Sequence, residues 1–136
     1  MPEGTYTLLV KLPTTATVAV GALGEQSFPA GWYAYTGSAF GPGGFARVDR
    51  HHEMAAGERD ARHWHVDYLL GDTDAEIRSV VRTPDRDIEC AVADAVEGRP
   101  VVHGFGSSDC DCPTHLHHAA DRATLVDSVK RAHRTV

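Results

Sequence analysis

Between Thr5 and Leu12 the chain is rich in β-branched and aromatic residues, which reads as a strand. Pro13-Thr14-Thr15 breaks it. Beyond that short turn, Thr17 to Val20 reads as a second strand. Gly21, Gly24, Pro29 and Gly31 mark the next stretch as irregular chain or another short strand. Trp32 to Thr36 is a third strand, ending at Gly37-Ser38-Ala39 and followed by Gly41-Pro42-Gly43-Gly44. The period then lengthens. From Gly44 to Ala56, Phe45, Val48, His52 and Ala55 share one side at helical spacing, and Arg47, Arg50 and His51 share another. Gly57 is a natural helix stop. A second helix is expected from Arg62 to Leu70 and a strand from Ala75 to Arg82. Thr83-Pro84 reads as the cap and first residue of a helix running through Ile88, Val92 and Val96 to Gly98. The last third holds Gly104-Phe105-Gly106-Ser107-Ser108, a Cys/His-rich turn, and a polar tail or helix over residues 119–136. No internal repeat or linker divides the chain. The order β-β-β-α-α-β-α predicts one α+β domain over residues 1–136, a small antiparallel or mixed sheet with helices packed on it.

Composition narrows the function classes. With 136 residues the chain can bury one real core. No apolar run approaches the roughly 20 residues that span a bilayer, and no basic stretch followed by an apolar one opens the chain. No membrane partner and a cytoplasmic location are therefore expected. The net charge of -6 weighs against non-specific nucleic-acid binding, which depends on cations displacing counterions. An acidic surface can still hold a local basic site. The three cysteines, Cys90, Cys110 and Cys112, are too few and odd in number for a disulfide framework, and the close pair Cys110 and Cys112 reads as thiols or metal ligands.

Three features could carry chemistry. Tyr6 and Tyr35 lie in Gly4-Thr5-Tyr6 and Tyr35-Thr36-Gly37; taken singly, each reads as a packing residue of a strand. Arg47 and His51 are one helical turn apart. Arginine offers a phosphate a planar fork of donors, and histidine moves protons near neutral pH, although the bland reading is a solvated helix face. Glu89 stands in the apolar setting of Ile88, Cys90, Ala91 and Val92. It either points outward or is kept inside to hold a hard cation such as Mg2+ or Mn2+.

Taken in order, Gly4-Thr5-Tyr6, Tyr35-Thr36-Gly37, Arg47, His51 and Glu89 resemble the five elements of the GIY-YIG nucleases. The similarity is closest to an uncharacterised branch described as Uri-type endonucleases, sometimes fused to endonuclease III-like repair enzymes. It extends to Gly24-(x)3-Phe28-Pro29, Tyr33 to Ala39, Gly41-Pro42-Gly43-Gly44, His63-Trp64-His65-Val66-Asp67-Tyr68-Leu69-Leu70, and Gly104 to Cys110, so it covers roughly Gly4 to His118. Thr5 and Thr36 stand where the superfamily has isoleucine, and the long span from Tyr6 to Tyr35 calls for an inserted strand or loop.

The resemblance implies metal-dependent hydrolysis of DNA phosphodiester bonds, with structured or damaged DNA and a repair enzyme as partners. Glu89 would hold Mg2+ or Mn2+. Tyr6 would orient or deprotonate the attacking water, and a cation would have to lower its phenol from a pKa near 10. Arg47 would stabilise the developing charge, with Tyr35 and His51 assisting.

A rival reading starts from Cys110-Asp111-Cys112-Pro113-Thr114-His115, two thiols and an imidazole within six residues. Zn2+ favours such ligands, and His63 or His65 could complete a tetrahedron. The chain would then be a non-catalytic, zinc-stabilised module binding nucleic acid or protein. Cys-x-Cys is tighter than the usual spacing, and free thiols on a His-rich surface are the plain alternative. Were His63 and His65 on one helix, they would point about 200° apart. One would then pack or bond to Asp67 while the other lines a cleft.

Overall fold

The computed structural model describes residues 3–40, 43–60, 62, 64–102, 104–105 and 114–136. Its strands are β1 (Gly4–Leu12), β2 (Ala16–Ala19), β3 (Glu25–Phe28), β4 (Gly31–Ser38), β5 (Glu76–Pro84), β6 (Arg99–Pro100) and β7 (Leu116–Ala119). The helices are α1 (Ala46–Ala55), α2 (His65–Gly71), α3 (Glu89–Ala95) and α4 (Arg122–Thr135). The main sheet runs β5-β1-β4-β7-β6, and every paired neighbour is antiparallel. The expected α+β class is therefore observed, with the sheet antiparallel rather than mixed.

Strand β1 is buried along almost its whole length because helices cover both faces. Tyr6, Leu8, Val10 and Leu12 face one core with Val48 and Met54 of α1 and Val66, Leu69 and Leu70 of α2. Leu9 faces a second core with Val92 and Val96 from α3 and its end, and with Leu125, Val129 and Ala132 of α4. Alternation along the strand thus sends neighbouring residues to opposite cores. The inserted segment between the two tyrosines is a hairpin, in which β2 pairs with β3 and not with β1. Val18, Val20 and Phe28 tuck it into the first core.

Four expectations are corrected. Thr83 and Pro84 do not open a helix; they finish β5, paired with Thr5 and Gly4. An edge strand tolerates a proline because its missing N–H faces no partner. The helix starts later because Thr5 holds the intervening loop: its hydroxyl donates to Arg86 O (2.8 Å) and accepts Ile88 N–H (3.0 Å). On α1 the buried seam is Val48, His51 and Met54 with Phe45 before it, whereas His52 is exposed. Spacing by threes and fours admits either histidine, and packing against the sheet selects His51. Helix α2 begins at His65, later than the expected Arg62, and His63 lies outside the described residues. Finally, the stretch after the Cys/His-rich turn supplies β7 beside β4; beyond it the chain ends in a helix, one of the two forms expected there. Asp121 caps α4 by accepting Ala123 and Thr124 N–H, and Leu125, Val129 and Ala132 form its buried stripe. Among the described residues no helix is long and apolar enough to cross a membrane.

Candidate active site and metal centre

Antiparallel register sets Tyr6 of β1 opposite Gly37 of β4 on one side and Arg82 of β5 on the other. Tyr6 is buried, and its hydroxyl lies 2.7 Å from His51 Nε2, also buried. A Cβ on Gly37 would stand 2.6 Å from Tyr6 Oη and 3.2 Å from Tyr35 Cε2. Only glycine lets the two tyrosine rings close over the strand there. The Tyr35 ring meets His51 edge-on at 6.2 Å between centroids, and Phe105 meets Tyr35 at 6.0 Å. Phe105 is the described part of the Gly104–Cys110 block together with Gly104, and it also packs on His65 at 5.7 Å.

The electrostatics follow from burial. Desolvation pushes the Tyr6 phenol well above its ordinary value of 10.0; Tyr35 adds to this, Arg47 partly offsets it, and Glu89 and Asp67 raise it further. Burial, then Arg47, Arg50 and His52, lowers His51 from 6.5 to about 3. At neutral pH the pair is thus a neutral phenol on a neutral imidazole, and either ring tautomer permits their bond. Arg47 and Glu89 both act on Tyr6 through space, from α1 and from the start of α3. Tyr6, Tyr35 and His51 are thus in direct contact, and Arg47 and Glu89 lie near enough to act on the Tyr6 phenol.

Arg47 is held from two sides. It donates to the Ser38 carbonyl, and its guanidinium lies 5.0 Å from the Trp64 ring centroid. Arg50 approaches the same ring at 4.7 Å. Trp64 is fixed in turn at the start of α2, where the Asp67 carboxylate accepts its backbone N–H at 3.0 Å. Asp67 thus caps the helix through the Trp64 backbone. Arg82 lies over Phe45 at 5.3 Å, adding a cation on the strand next to Tyr6. Arg47, Arg50 and Arg82 thus bring three cations toward Tyr6 and His51 in a chain of net charge -6.

Glu89 is neither fully outward nor enclosed; its side chain is 23% exposed. Its Oε2 lies 3.6 Å from His115 Nδ1, and Cys90 Sγ lies 3.8 Å from His115 Nε2. One donor atom from each of Glu89, Cys90 and His115 falls within 4.8 Å of the others. His115 itself is fully buried, and desolvation lowers its pKa below 6.5. The sequence reading grouped His115 with Cys110 and Cys112, which lie outside the described residues. His65, suggested as a fourth ligand to that cluster, packs on Phe105. Three contributors escaped the sequence reading. Trp64 and Arg82 carry no local signal, because only register and helix packing bring them to Tyr6 and Arg47. Cys90 was quoted as an apolar neighbour of Glu89, and its position beside His115 depends on a contact across 25 residues.

No curated protein and no solved structure gives a significant match to this chain. A family model described as Domain of unknown function DUF123 matches residues 5–136. That span takes in both strands of the tyrosine pair, all four helices and the Glu89–Cys90–His115 group. The chain belongs to the DUF123 family.

Proposed function

We propose that this protein is a GIY-YIG-type endonuclease of the Uri-like branch, hydrolysing DNA phosphodiester bonds with a divalent metal. The observation that carries the reading is the buried Tyr6–His51 pair, with Arg47 and Glu89 acting on the same phenol. Glu89 fits a cation, because its partly exposed carboxylate stands beside a buried imidazole and keeps a route to solvent. Bound there, Mg2+ or Mn2+ would neutralise a phosphate oxygen and ease departure of the leaving oxygen.

The chain's own groups do the rest. Arg47, braced by Ser38 and Trp64, presents a planar fork to a non-bridging phosphate oxygen with little entropy left to lose. Tyr6 holds a water by hydrogen bonding from a hydroxyl whose direction His51 fixes. Burial keeps the phenol protonated in the resting protein, so water activation needs cationic help at the phenol. Arg47 supplies part of that help. Tyr35 packs edge-on against His51 and helps shield it from bulk water. Arg50 and Arg82 extend the cationic rim along which a DNA backbone can track.

Structured or damaged DNA is the substrate this reading favours, and an endonuclease III-like repair enzyme is the partner that the branch suggests. The second reading, a zinc-stabilised binding module, draws support from His115 lying among metal-competent donors. Incubating the purified chain with duplex, single-stranded and branched DNA, with Mg2+ or Mn2+ and then with chelator, tests the choice. Metal-dependent cleavage supports the nuclease, and binding without cleavage supports the module.

A further inference from the structure

We propose that Glu89, Cys90 and His115 form a binding site for a thiophilic transition-metal ion of the Zn2+ class, selected over Mg2+. The site shares Glu89 with the proposed nuclease centre, so an ion of the Zn2+ class there would compete with Mg2+ or Mn2+, but the site does not depend on cleavage and its test reads metal binding directly. The argument is the chemistry of the donor set. A single carboxylate would suit a hard ion. Here it is joined by a thiol and an imidazole, ligands that favour zinc and its neighbours and that Mg2+ scarcely uses.

The geometry is close to what such an ion requires. Zinc lies about 2.0–2.3 Å from nitrogen, oxygen and sulfur donors in a tetrahedron, which sets those donors roughly 3.3–3.8 Å apart. Cys90 Sγ already lies 3.8 Å from His115 Nε2. The Glu89 carboxylate lies on the Nδ1 side of that ring, and its 23% exposed, flexible side chain is the donor that must swing in. The three donor atoms, within 4.8 Å of one another, need to contract by no more than about 1.5 Å to reach that spacing. Two backbone features fix the frame. His115 is buried, with its carbonyl accepting Thr36 N–H at 3.0 Å and its own N–H donating to Phe105 O at 2.8 Å. Cys90 and Glu89 are adjacent in α3, whose loop is pinned by Thr5. Three protein ligands leave a fourth position for water or a substrate oxygen, the arrangement of an open site rather than a closed structural one.

The test is a titration of the metal-free full chain with Co2+, which reports thiolate ligation as a near-ultraviolet charge-transfer band. The expected result is one equivalent of Co2+ bound with that band, displaced by Zn2+ and not by a large excess of Mg2+. Cys90→Ser, nearly isosteric, should remove the band while the circular dichroism stays native. His115→Ala or Glu89→Gln should weaken binding at least about tenfold. A variant with Cys110→Ser and Cys112→Ser together should keep the band. No band in the wild-type chain, a band that survives Cys90→Ser, or ready displacement by Mg2+ would overturn the proposal. Cys90-dependent binding in a chain that cleaves no DNA would remove the nuclease reading and leave the metal site standing.

Discussion

Tyr6 and Gly37 face each other across β1 and β4, and a single Cβ on Gly37 would stand 2.6 Å from the Tyr6 hydroxyl. The glycine of Tyr35-Thr36-Gly37 is therefore a packing requirement of the tyrosine at the other strand's matching motif. Neither ring can yield easily: Tyr6 is bonded to His51, and Tyr35 lies against His51 and Phe105.

Gly37→Ala should consequently disturb the site more than the fold. Overpacking of this kind costs about 1–3 kcal/mol, measurable by urea unfolding. Proposed cleavage should fall further than that loss explains, because the displaced phenol leaves His51. Full activity with unchanged stability would mean that the tyrosines do not rely on the open position.

Tyr6→Phe keeps the ring and deletes the hydroxyl. His51 Nε2 then loses its partner in a buried setting, a cost of about 1–3 kcal/mol. Cleavage should drop by about 10²-fold or more, the usual scale for removing an acid–base group. Wild-type turnover by this variant would assign Tyr6 to packing alone.

Arg47 tests the cationic rim. Arg47→Ala should lower cleavage by at least about 10²-fold, and Trp64→Leu should lower it less while weakening DNA affinity, since Trp64 braces both Arg47 and Arg50. Single-turnover kinetics with binding isotherms separates the two effects. Equal losses in both variants would argue against a direct role for the guanidinium.

Stability should depend on pH through His133. It is buried beneath β1, 2.8 Å from both Thr7 Oγ1 and Thr83 Oγ1, and burial lowers its pKa from 6.5 to about 4. Between those values the unfolded chain takes the proton and the folded one does not. The contribution is therefore full above pH 6.5 and is lost as pH falls from 6.5 through about 4. His51 adds a loss of the same sign that continues to about pH 3. Denaturant midpoints across pH 4 to 7 should fall with acidity, and His133→Gln should flatten the curve. An unchanged slope in the variant would show that His133 is not the group responsible.

Much of this architecture was legible in local pattern. β1, β4, α1 and the inserted hairpin follow from β-branched runs, turn residues and helical spacing, and these place Tyr6, Tyr35, Arg47 and His51. Other features were not legible because they depend on contacts distant in sequence. Leu116-His117-His118-Ala119 becomes a strand only because β4 offers an open edge beside it. Thr83-Pro84 carries a helix-start signal that pairing with β1 overrides. His51 and His52 are equivalent to the helical period, and only the position of Tyr6 decides between them. Cys90 gives no signal until His115 is folded back against it.

The nuclease account meets its most direct test in one assay: cleavage of branched and duplex DNA by the wild-type chain and by Glu89→Ala, each with Mn2+ or Mg2+ and with chelator. The account expects cleavage by the wild-type chain with metal, none with chelator, and none by Glu89→Ala at any metal concentration. Cleavage that survives both chelator and Glu89→Ala, or no cleavage of any DNA by the wild-type chain, would contradict it.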